Sequence, residues 1–102
     1  MHTVARMFSR SDSVMRLVKQ LAEVLARAMK LKTAGDEVKS KQVLQNACGE
    51  VLGVEFRVLD MLDAKSAVEL LGEKPRVEAY LQLVEALGDA ARAEELRQKL
   101  PR

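Results

Sequence analysis

Val14, Val18, Leu21, Leu25 and Met29 recur at intervals of four, three, four and four residues, with no Gly or Pro among them. This spacing keeps every one of them on one side of an α-helix. Leu17, Val24, Ala28 and Leu31 widen the apolar stripe to more than half of the circumference. The pattern predicts one long amphipathic helix over about residues 12–33, with Ser11 or Asp12 able to cap its start. A rod of this kind must find cover for its apolar side, so the rest of the chain has to be built against it.

The rod ends at Ala34-Gly35-Asp36, and the same device returns at Gly88-Asp89. Glycine takes the left-handed conformation just past a helix end, and an Asp after it accepts backbone N–H groups as the next N-cap. Between the two stops, the spacing predicts a helix over about 37–52, with Val38, Val43 or Leu44, Ala47, Cys48 and Val51 on its stripe and Gly53 closing it. A short helix around Phe56, Leu59 and Met61-Leu62 follows, then one over about 64–71 capped by Asp63, with Ala67, Leu70 and Leu71 inward. Pro75 suits the first turn of the next helix, which carries Val77, Tyr80, Leu81, Val84 and Leu87. The last helix, about 90–99, turns Ala93, Leu96 and Leu100 inward, and Pro101 follows it. No segment alternates apolar and polar residues as a half-buried strand would. Composition agrees: 48% hydrophobic, 3% aromatic and no Ile, so the core is aliphatic and drawn from residues that favour helix.

The chain of 102 residues matches one domain. The reading gives an N-terminal arm over 1–11, expected to be flexible, and a single helical domain over 12–102. A helix, a Gly-Asp elbow and a second helix with a small residue four positions after the Asp (Ser40 after Asp36, Ala93 after Asp89) resemble a tetratricopeptide repeat hairpin. The resemblance implies an all-α fold of antiparallel helical hairpins, TPR-like, behind a long amphipathic N-terminal helix, five or six helices in all. The two elbows are 53 residues apart rather than one repeat length, so 54–72 interrupts the pattern as an insert. The order of a basic amphipathic helix, then LGVEFRVLDMLDAKSAVELLG, then a hairpin also resembles a family of small bacterial helical proteins. That likeness implies a fold and no activity.

The residue inventory bears on chemistry. His2 is the lone histidine, and no His–carboxylate cluster has metal-ligand spacing. Cys48 is the lone cysteine, which excludes an intrachain disulfide, and its place on an apolar stripe reads as a buried small hydrophobe rather than a nucleophile. GEKPR at 72–76 lacks the spacing and the terminal Lys-Ser/Thr of a phosphate loop. Glu94-Glu95 and Asp36-Glu37 read as first-turn acids that complement helix dipoles. The chain is therefore expected to be no enzyme and to need no cofactor or metal. No apolar run is long enough to span a bilayer. MHTVARMFSR lacks a secretory apolar core, although its Arg and Ser content shares features with a transit peptide. The expected location is cytoplasmic.

Charge and apolar excess remain. Residues 1–32 hold seven basic and two acidic side chains, a net +5, and residues 33–102 carry −3. Arg16, Lys19, Arg27 and Lys30, with Glu23 among them, form a basic face on the first helix. Two readings stay open for it: a solvated face paired with acids of the later helices, or a surface for nucleic acid or anionic membrane. The apolar side of the same helix exceeds what a small helical body covers. Val14, Leu17, Val18, Leu21 and Leu25 are the expected interaction residues, unless Val4, Met7 and Phe8 of the arm fold back over them. The expected function is a non-catalytic protein–protein interaction or scaffold module, its expected partner a second copy in a homodimer. Nucleic-acid or membrane binding is the alternative.

Overall fold

The computed structural model describes the backbone over residues 2–100 and side chains over 12–100. Six α-helices follow in order: α1 (His2–Thr33), α2 (Glu37–Ala47), α3 (Phe56–Met61), α4 (Ala64–Leu71), α5 (Lys74–Ala86) and α6 (Ala90–Gln98). A π turn, Cys48–Leu52, continues directly from α2. Among the described residues there is no strand. The backbone of α1 is helical from His2, ahead of the start expected at Ser11–Asp12, because nothing between them breaks a helix. The expected N-terminal arm, including a fold-back of Val4, Met7 and Phe8, lies outside the described side chains, and Pro101 lies outside the described residues.

Both Gly-Asp pairs act as sequence spacing predicts. Gly35 has φ +87° and Gly88 φ +86°. The Gly35 N–H donates to the Lys32 carbonyl and the Asp36 N–H to that of Leu31. The Gly88 N–H donates to Glu85 and the Asp89 N–H to Val84 in the same pattern. Each pair of bonds satisfies carbonyls that a helix end leaves open, with glycine supplying the left-handed residue. The Asp36 carboxylate then accepts the Lys39 N–H at 3.2 Å, and Asp89 accepts that of Arg92 at 3.1 Å. Each stop thus starts the next helix. Four residues on, Ser40 and Ala93 are both buried, and Ser40 Oγ donates to the Ala28 carbonyl at 2.8 Å, tying α2 to α1.

The core has α5 at its centre. Val77, Tyr80, Leu81 and Val84 are buried as the stripe predicts, but so are Ala79 and Leu83 on the opposite side. This helix packs on α1, α2, α4, α6 and the π turn, and leaves one open side that carries Lys74, Glu78, Gln82 and Glu85. Leu21, Val24 and Ala28 of α1, Leu44, Ala47 and Cys48, Leu59, Ala67, Leu71 and Leu96 complete the aliphatic core. Two arginines fasten the short elements to it. Arg76 donates to the Leu52 carbonyl at the end of the π turn. Arg92 Nη2 donates to the Leu59 carbonyl at 2.8 Å and to the Tyr80 hydroxyl at 3.3 Å.

Several residues placed inward by their spacing are exposed. Val38, Met61 and Leu70 face solvent, as do Val18 and Met29. The reason is shared: spacing identifies the apolar side of each helix, but α2, α3 and α4 are covered along narrower strips than their apolar arcs. The acids Glu94 and Glu95 fall just past the first turn of α6, whose N-terminal negative charge is the Asp89 cap.

Candidate interaction surface on the first helix

Among its described side chains, helix α1 is covered along one edge only. Leu21, Val24 and Ala28 are buried against the body, and Leu17 and Leu25 are half-buried beside them. One step further round the helix, Val14 (37% exposed), Met15 (68%), Val18 (58%) and Met29 (64%) stand open. At 100° per residue these four, with exposed Ala22 between them, form one continuous apolar shoulder. Asp12, Ser13 and Arg16 in the first described turns are exposed as well.

The shoulder is one wall of a groove. Val14, Leu17, Val18, Leu21 and Leu25 line an open cavity of about 430 Å³ whose far wall is Pro75, Glu78, Ala79 and Gln82 of α5. A second cavity of about 270 Å³ continues it past Val14 and Leu17 to Val51, Glu73 and Arg76. All five residues expected to make contacts thus line one wall, two of them exposed at the rim, two half-buried and Leu21 at its floor. The far wall was not legible in the sequence. Pro75 reads there only as a helix start and Ala79 lies off the apolar stripe, and only the docking of α5 on α1 brings them opposite Val18. The rim carries the ion pair Lys74 Nζ–Glu78 Oε1 at 4.0 Å.

Arg16, Lys19, Arg27 and Lys30 are all exposed, and Arg16 also lines the second cavity, with Val51, Glu73 and Arg76. Among the described residues, the ion pairs join Lys39 to Asp36, Arg57 to Glu55, Lys74 to Glu78, and Arg97 to Glu85 and Glu94. None uses the basic face, so the expected pairing with later helices is not found.

Elsewhere the chemistry is quiet. Cys48 is fully buried, and burial pushes its thiol up to about 11. A thiol held protonated at neutral pH is a poor nucleophile. The Asp63 carboxyl is held below its ordinary value by the Ser66 N–H that it caps at 2.7 Å. Tyr80 is raised by its own burial, against the opposing pull of Arg92. Among the described residues no three His, Cys, Asp or Glu side chains are grouped to hold a metal ion, and no helix is long and apolar enough to cross a membrane. No protein-family model, curated protein or solved structure matches this chain.

Proposed function

We propose that this chain is a non-catalytic interaction module that associates with itself through α1. The observation that carries the reading is the apolar shoulder Val14–Met15–Val18–Met29, open to solvent and running into an apolar groove on α5. Contiguous apolar surface beside an apolar groove costs free energy in water and marks a site of association. In this reading the elbows Gly35-Asp36 and Gly88-Asp89, with Ser40 and Ala93 packed after them, build tetratricopeptide-like hairpins that present α1. Val18→Glu tests it. Val18 is exposed, so the substitution leaves the fold alone and places a charge in the contact. Light scattering on a sizing column is expected to show a dimer for the parent chain and a monomer for the variant. A parent chain that stays monomeric at high concentration refutes the reading.

A second reading draws on the exposed, unpaired Arg16, Lys19, Arg27 and Lys30: the same helix docks on nucleic acid or an anionic membrane. DNA or acidic vesicles that bind at low salt and release as salt rises support it, and absence of binding at low salt removes it.

A further inference from the structure

Four charged side chains flank the apolar shoulder of α1 on the side away from α5: Asp12, Lys19, Glu23 and Lys30. Asp12 and Glu23 lie eleven residues apart, as do Lys19 and Lys30, and eleven residues return a helix to almost the same side. The four therefore form one row with signs −, +, −, + along a span of about 27 Å at 1.5 Å per residue. The row has a symmetry. Asp12 and Lys30 are equidistant from Leu21, and so are Lys19 and Glu23. Read backwards, each acid falls where a base stood. The apolar shoulder shares nearly the same centre, since Val14 mirrors Met29 and Val18 mirrors Leu25 about the Leu21–Ala22 step. All four charged side chains are exposed, and none takes part in an ion pair among the described residues.

We infer that the occupant of the groove is α1 of a second copy, laid antiparallel about a two-fold axis near Leu21. In an antiparallel helix pair, rows on the same side of the two seams meet; in a parallel pair each row meets the opposite flank of its partner. Antiparallel pairing sets Asp12 against Lys30 and Lys19 against Glu23, each twice, at the border of an apolar seam of Val14 on Met29 and Val18 on Leu25. Parallel pairing brings the row to the partner's α5 rim, where Lys74 and Glu78 already neutralise each other. Two copies of α1 and two of α5 then enclose the shoulder as a four-helix layer, and a two-fold interface of this kind is self-limiting. Arg16 and Arg27 lie outside the row of four. This orientation rests on the self-association proposed above.

Disulfide trapping separates the two claims. Val14→Cys and Met29→Cys are made in the full chain, and air oxidation is run on each alone and on their mixture. Cys48 is buried and gives no background. The mixture is expected to yield cross-linked dimer while neither variant alone does. Cross-linking of Val14→Cys with itself, or none in the mixture although the parent is dimeric, overturns the antiparallel arrangement and leaves self-association standing. A monomeric parent overturns both. Charge reversal gives an independent readout. Asp12→Lys weakens the dimer about tenfold through like-charge contact with Lys30, and adding Lys30→Asp restores it. Failure of the double variant to recover overturns the pairing.

Discussion

At the residue scale, the buried Cys48 and the half-buried Arg92 each show how a side chain is tied to the core. The Cys48 thiol is neutral in the fold up to about pH 11, whereas an exposed thiol ionises near 9.0. The unfolded chain therefore releases its proton first. The stabilisation from keeping this thiol protonated is complete below about 9.0 and is lost as pH rises through about 11. Urea midpoints are expected to fall across that window, and less steeply in Cys48→Ala. Iodoacetamide at neutral pH is expected to label the chain only after denaturation. Arg92 works by satisfying others. Its Nη2 serves the carbonyl of fully buried Leu59 and the Tyr80 hydroxyl, with the guanidinium carbon 5.9 Å from the Tyr80 ring centre. Arg92→Leu removes both of these bonds, leaving the Leu59 carbonyl only the Leu62 N–H, and is expected to cost about 1–3 kcal/mol by urea denaturation.

At the element scale, the elbows carry the fold. Gly88 sits at φ +86°, with nothing within 4 Å of where a Cβ would stand. The penalty for Gly88→Ala is thus conformational rather than steric against neighbours, about 1–2 kcal/mol. Thermal unfolding is expected to show a lower midpoint with unchanged helical content. Asp36→Ala removes the acceptor for the Lys39 N–H and is expected to cost about 1 kcal/mol. Elements of this kind were legible because their signals are local. A Gly-Asp pair, a Pro at a helix start or a run of apolar residues at 3.6 spacing acts through neighbours a few positions away. So the ends of α2 with its π turn, α4, α5 and α6 fall within a residue or so of their expected positions. The π turn itself was not legible, since Leu44, Cys48 and Leu52 keep the four-residue steps of an ordinary helix across it.

At the scale of the whole molecule, the decisive quantity is how much of α1 the body covers. A dimer held by the shoulder unfolds at a temperature that rises with protein concentration. That dependence is expected in the parent chain and absent in Val18→Glu, with the same far-ultraviolet circular dichroism for both at low temperature.

Local spacing was enough for the helices, their two glycine stops, the aliphatic character of the core and the apolar side of α1 that carries Val14, Leu17, Val18, Leu21 and Leu25, because each follows from bonds and spacing within about one or two helical turns. Only the tertiary structure decided that α5 is the buried centre, that Met29 and Val18 stay in water while Leu21 does not, and that Pro75 and Ala79 form the facing wall. The side of an apolar arc that gets covered depends on where another helix comes to rest, and that is a property of the packed body, not of any one segment.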